Sequence, residues 1–122
     1  MKFLLIMQVN PAALEALTEA ERDAVGNGHE GFMKSIQASG EFIATQALAD
    51  PGNSVTVRGT GGVPAVTDGP YLEAKEFMGG YYMVDVESKE RAVELAQQIP
   101  DAKINGMAIE IRPIMFEAGF DM

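Results

Sequence analysis

His29 is the single histidine of this 122-residue chain, which contains no cysteine. An unperturbed imidazole titrates near ~6.5, so it is the side chain best suited to move protons around neutrality. Without cysteine there is no disulfide, no zinc–thiolate site and no thiol nucleophile. One histidine leaves only a carboxylate-rich metal site, and no paired acidic spacing suggests one, so no metal is expected. His29 also belongs to an apolar stripe of Val25, His29, Phe32, Met33 and Ile36, spaced by threes and fours. A buried histidine satisfied by a backbone carbonyl or one carboxylate therefore stands beside the catalytic alternative.

The acidic partner of such a histidine has two sequence candidates. Asp68 precedes Gly69-Pro70, where it could orient His29 or act as a base, and Glu41 follows directly on Gly40. Asp before Gly-Pro is also a common turn starter, its carboxylate accepting nearby backbone amides. Tyr81 and Tyr82 are adjacent in an apolar stretch, so in a strand they point to opposite faces: one can line a cavity, the other packs beneath a helix. Lys75 and Arg112 are the candidates for holding an anionic group, against a default of solvation for Lys75 and a surface ion pair for Arg112. Glu73 and Glu76 read as solvated. Gly59–Gly62 lacks the lysine of a phosphate-binding loop, and no Gly-x-Ser-x-Gly elbow is present.

The elements that must position these residues follow from pattern. Residues 2–9 form an apolar run ended by Asn10-Pro11, as in a buried strand. Thr18 and Glu21 make a capping box at a helix start. Gly26, Gly28 and Gly31 each cost a helix about 1 kcal/mol against alanine, which predicts a loosened first half and a firm helix from about 28 to 39, capped by Gly40. Residues 41–49 read as a second strand, and Asp50-Pro51-Gly52-Asn53 as a turn. Val55–Arg58 and Val63–Thr67 suit two short strands of a hairpin, inserted near the sheet edge.

Phe77–Val86 reads as a strand whose Gly79-Gly80 pair signals a bulge. Ser88 can cap a second helix carrying Ala92, Leu95, Ala96 and Ile99, stopped by Pro100. Met107, Ile109 and Ile111 then alternate with Ala108, Glu110 and Arg112 in a last strand. Without the hairpin the order is βαββαβ, the ferredoxin-like α+β arrangement of an antiparallel sheet with two helices on one face. The length suits a single domain spanning 1–122. The uncovered sheet face, carrying Val, Ile and Tyr side chains, predicts a homodimer packed sheet to sheet.

Hydrophobic residues make up 47% of the chain, too many for disorder, and the net charge is −9. That charge argues against nucleic acid and anionic membranes as partners. The five-residue run Phe3–Met7 is followed by no small-residue cleavage site, and no stretch approaches the ~20 apolar residues of a membrane span. A cytoplasmic protein is expected.

The stretch Val66-Thr67-Asp68-Gly69-Pro70-Tyr71-Leu72-Glu73-Ala74-Lys75-Glu76, followed by Gly79-Gly80-Tyr81-Tyr82, resembles the signature of DGPF-type proteins within the YCII-related family. Ala92–Ile99 before Pro100 and the closing Ile109-Glu110-Ile111-Arg112-Pro113 support the resemblance, which covers nearly the whole chain. Tyr71 departs from it, standing where the motif has Phe. The resemblance implies a dimeric α+β barrel in which two ferredoxin-like sheets enclose a cavity. It further implies a His–Asp pair of acid–base character, and His29, eleven residues before Gly40, looks like that histidine. Some relatives of this type are encoded beside sigma factors or joined to them.

Two functions of different class fit. One is a cofactor-independent enzyme acting on a small cyclic or aromatic carbonyl compound, with His29 shuttling a proton and Asp68 orienting it. In that scheme Tyr81 or Tyr82 shapes the pocket and Arg112 or Lys75 holds an anionic group. The other is a non-catalytic dimer that binds a small molecule or a regulatory protein. A plainer third possibility is that the motif only shapes the dimer interface.

Overall fold

The computed structural model describes residues 1–72 and 74–119; the Glu73 assignment lies outside the described residues. The chain is α+β. Four strands, β1 (Lys2–Val9), β2 (Phe42–Ala47), β5 (Phe77–Asp85) and β6 (Ala108–Pro113), form an antiparallel sheet in the order β2-β5-β1-β6. Among the described residues there are three α-helices, α1 (Pro11–Glu15), α2 (Glu19–Ala38) and α3 (Lys89–Gln98). This order and pairing are consistent with a ferredoxin-like fold. β3 (Val55–Arg58) and β4 (Ala65–Asp68) pair only with each other, antiparallel, as a separate two-stranded sheet.

Strand alternation sorts β1 cleanly. Phe3, Leu5 and Met7 enter a core shared with Phe32 and Ile36 of α2 and with Ala92, Leu95 and Ala96 of α3. Tyr82 and Val84 of β5 join that core, with Ile109 and Ile111 of β6 packed at its margin. Leu4, Ile6 and Gln8 therefore face the other way, opposite Met83, Tyr81, Arg112 and Glu110 in the register. The register of β1 against β5 slips between Met7 and Gln8, opposite Gly79, which is the bulge that the glycine pair signals.

Helix α2 corrects one expectation. It runs unbroken over 20 residues from Glu19, with no loosened first half. Both bonds of the capping box are made, Glu21 N–H to Thr18 Oγ1 and Thr18 N–H to Glu21 Oε1. The backbone hydrogen bond also holds the Glu21 carboxyl below its usual range. At the far end Gly40 N–H reaches Gln37 O and Glu41 N–H reaches Ile36 O, so the last carbonyls are satisfied. Glycine propensity is a weak prior, and a capped helix with one face in the core overrides it. The short α1 has no counterpart in the sequence expectations; Asn10 Oδ1 caps it by accepting Ala12 N–H and Ala13 N–H.

Glu41 lies where α2 hands over to β2, and Arg91 of α3 reaches it through Nε and a terminal nitrogen, each at 2.8 Å. Arg91 holds the Glu41 carboxyl below the usual carboxylate range, and Glu41 in turn raises the guanidinium's affinity for its proton. This two-pronged ion pair ties the end of α2 to the start of α3.

Candidate functional site

The one buried charged side chain among the described residues is Asp101, 7% exposed. It sits in a 3₁₀ turn, Pro100–Lys103, that begins where α3 stops. Ile99, fully buried, anchors the chain there, and Pro100 bars the helix from continuing. The carboxylate is thereby placed under α2, where His29 Nε2 lies 2.7 Å from Asp101 Oδ1. On the other side of the imidazole, Nδ1 lies 2.7 Å from the Tyr82 hydroxyl. Tyr82 comes from β5 beneath α2; its ring stacks near His29 at 5.9 Å and meets Phe32 edge-on at 4.9 Å.

Proton positions in this chain of three follow from what each group can do. Burial, with the Asp101 charge adding to it, pushes the Tyr82 phenol up to about 12, so at neutral pH it keeps its proton and can donate. An ionised Asp101 can only accept. The self-consistent assignment is Tyr82 O–H donating to His29 Nδ1 and His29 Nε2–H donating to Asp101. Every buried polar atom of the three then has a partner, which is the condition for keeping them in a core. The His29 side chain remains about one-quarter exposed, 26%, whereas Tyr82 is 4% exposed.

Close approach of α2 to the 3₁₀ turn makes the bond possible. A Cβ built on Gly28 would lie 2.6 Å from Pro100 Cγ, so only a glycine lets the two segments come this near. Gly28 immediately precedes His29, and Pro100 immediately precedes Asp101. The contact of one pair therefore sets the hydrogen bond of the next.

The other candidates fall elsewhere. Asp68 is exposed at the end of β4, opposite Val55, and Glu41 is engaged by Arg91; the carboxylate at His29 belongs to Asp101 instead. Nor does the Asp68 carboxylate make the turn, having no hydrogen bond among the described residues. Two residues on stands Pro70, which lacks an N–H, and Gly69 with φ +96° makes the bend while its N–H reaches Ser54 O at 2.6 Å. Tyr81 points to the opposite sheet face from Tyr82 and donates to Gln46 Oε1 at 3.0 Å. Arg112 is exposed and paired with Glu110 on its own strand, while Lys75 is exposed in the segment before β5. Sequence reasoning missed Asp101 because 72 residues separate it from His29 and no periodicity links them. An acidic residue directly after the helix-stopping Pro100, next to the core residue Ile99, was the available signal.

A capped α2 laid over an antiparallel sheet, with a tyrosine, a histidine and a buried aspartate hydrogen-bonded beneath it, defines an α+β domain. The YCII-related domain family model matches residues 1–116, and the chain belongs to that family. An uncharacterized protein of Rhizobium meliloti is 23% identical over 114 residues, which cover 93% of this chain and 92% of that protein. Among the described residues, no helix is long and apolar enough to cross a membrane.

Proposed function

We propose that this YCII-related domain is a cofactor-independent acid–base enzyme for a small cyclic or aromatic carbonyl compound, with His29 as its proton carrier. The observation that carries the reading is the Tyr82–His29–Asp101 chain, with 2.7 Å at both links and the His29 side chain 26% exposed. Asp101 replaces Asp68 as the orienting acid. It holds the tautomer whose basic atom is Nδ1 and offsets the positive charge when that atom takes a proton. Tyr82, protonated at neutral pH, turns its O–H from Nδ1 toward the substrate carbonyl oxygen as negative charge grows there. Nδ1, so released, takes the proton from the carbon beside the carbonyl, exchanges it with water, and delivers a proton to the same or a neighbouring carbon. The net change is an exchange or an isomerisation, and no electron acceptor is needed.

Two copies packed through the helix-free sheet face complete this reading. Ile6 and Met83 on that face are already buried within the single chain, 4% and 8% exposed, so the half-buried Leu4 and Tyr81 beside them are what it offers a partner. The competing reading, a non-catalytic binding or regulatory dimer, draws support from one feature. Both imidazole nitrogens are already satisfied in the free protein.

Proton NMR in D₂O separates the two. A panel of small cyclic ketones and lactones is incubated with protein, and deuterium uptake beside the carbonyl is followed. Catalysed uptake that disappears in His29→Asn, with circular dichroism showing the variant still folded at the assay temperature, is the expected result. Uptake equal in wild type and His29→Asn would sink the acid–base reading.

A further inference from the structure

A second site lies away from His29. At the end of the sheet where β1 finishes and β5 begins, a cleft of about 610 Å³ opens between α1, the segment after β2 and the residues that follow the Asp68-Gly69-Pro70 bend. That volume is in the range of small-molecule sites, roughly 300–1,000 Å³. Its wall is apolar: Val9, Leu14, Leu48, Leu72 and Phe77 all face it. Leu14, Leu48 and Leu72 are 43%, 49% and 70% exposed, so three large aliphatic side chains stand uncovered around one opening. The charged groups of the lining are two carboxylates, Glu15 at the end of α1 and Asp50 before the Pro51 turn. Asp50 accepts Gly52 N–H, whereas Glu15 makes no hydrogen bond among the described residues. No lysine, arginine or histidine lines the cleft among those residues.

We infer that this cleft binds a small hydrophobic amine, its apolar body against Leu14, Leu48 and Phe77 and its ammonium group between Glu15 and Asp50. An apolar wall supplies contact area without selecting charge. Two carboxylates in a lining without lysine, arginine or histidine select charge: they favour an ammonium over a carboxylate of the same shape, even with Arg22 outside the cleft reaching Leu14 O at 3.4 Å. The anionic-group assignment for Lys75 and Arg112 finds no counterpart here, since neither residue lines the cleft. The site is independent of the acid–base reading, because none of its lining residues belongs to the Tyr82–His29–Asp101 chain.

Paired probes test it: 1-naphthylmethylamine and 1-naphthaleneacetate, titrated by calorimetry into the full chain in about 0.3 M salt, where the Debye length is well under ~10 Å and the net charge is screened. The amine should bind once per chain and at least about tenfold more tightly than the acid. Glu15→Gln with Asp50→Asn should bring the two within about twofold, and Leu14→Arg should reverse the order. Ala74→Trp, on the exposed rim, should abolish both. Equal affinity for the two probes in wild type overturns the proposal, as does amine binding that Ala74→Trp leaves unchanged. Cleft closure by a second copy would also overturn it, and would show as binding only at dilutions where the dimer falls apart. His29→Asn should bind the amine as wild type does, so failure here and failure of the deuterium-uptake test are separate results.

Discussion

Two regions of this molecule make opposite use of their residues. Under α2, Tyr82, His29 and Asp101 come from a strand, a helix and a 3₁₀ turn, and both imidazole nitrogens are matched, to the Tyr82 hydroxyl and to Asp101 Oδ1. In the β3–β4 ribbon, Val55, Val57 and Val66 are 62–66% exposed, and the two strands pair with nothing but each other. The ribbon and the bend after it hold by local devices: the Gly69 bend, Thr56 Oγ1 donating to Gly69 O, and Arg58 stacked 4.9 Å over Tyr71. A recognisable motif and a buried polar network are thus different objects. The motif around Asp68-Gly69-Pro70 shapes a bend at the surface, and the network needs three distant segments to converge.

Substitutions should separate the regions, beginning with the heaviest effect. A Cβ at Gly80 would lie 2.5 Å from Gln46 O, a backbone atom that cannot swing aside. Gly80→Val should therefore cost about 3 kcal/mol or more in chemical denaturation; a loss below about 1 kcal/mol would mean that the β2–β5 pairing is looser than it stands here. Gly28→Ala drives a methyl into Pro100 and should cost about 1–3 kcal/mol. It should also lengthen the His29–Asp101 bond, read as a shift of the His29 ring ¹⁵N signals toward those of Asp101→Asn. Stability loss with unmoved ring signals would break the proposed link between the Gly28 contact and the site.

The Tyr82 phenol gives a pH test of the core network. Its folded value of about 12 stands above the ordinary 10, so the folded state keeps a proton that the unfolded state sheds. The stabilisation is complete below pH 10 and is lost as pH rises through about 12. Two units correspond to roughly 2–3 kcal/mol. Tyr82→Phe should lose that alkaline slope, and an identical slope in the variant would assign it elsewhere. At the acid end the sign reverses. Glu41 is held low by Arg91, so its contribution is present above its ordinary value and fades as pH falls below it. Arg91→Ala should destabilise the fold at pH 7 and markedly less near pH 3, read by chemical denaturation at the two pH values. Smallest of all, Asp68→Asn and Val57→Thr in the exposed ribbon should each move stability by under about 0.5 kcal/mol.

Much of the fold was legible in the residues. Ser88 caps α3, the Ala92, Leu95, Ala96 and Ile99 stripe is buried as its spacing implies, and the Gly79 bulge lies where the glycine pair marks it. Tyr81 and Tyr82 divide between the two sheet faces because a strand alternates, a rule that needs no tertiary information. His29 could be singled out by chemistry alone. Its partners could not, because Asp101 is distant in sequence and resembles any acidic residue after a helix.

Local chemistry, then, determined most of the elements and their caps, the alternating faces and the single histidine. These depend on interactions within a few residues, which the order of side chains specifies directly. Only the tertiary structure decided that α2 stays whole through its glycines, that Asp101 rather than Asp68 or Glu41 meets His29, and that an acidic-rimmed apolar cleft opens beside α1. Each of these depends on which distant segments pack together, and close packing selects them by a contact such as Gly28 on Pro100 that no periodicity records.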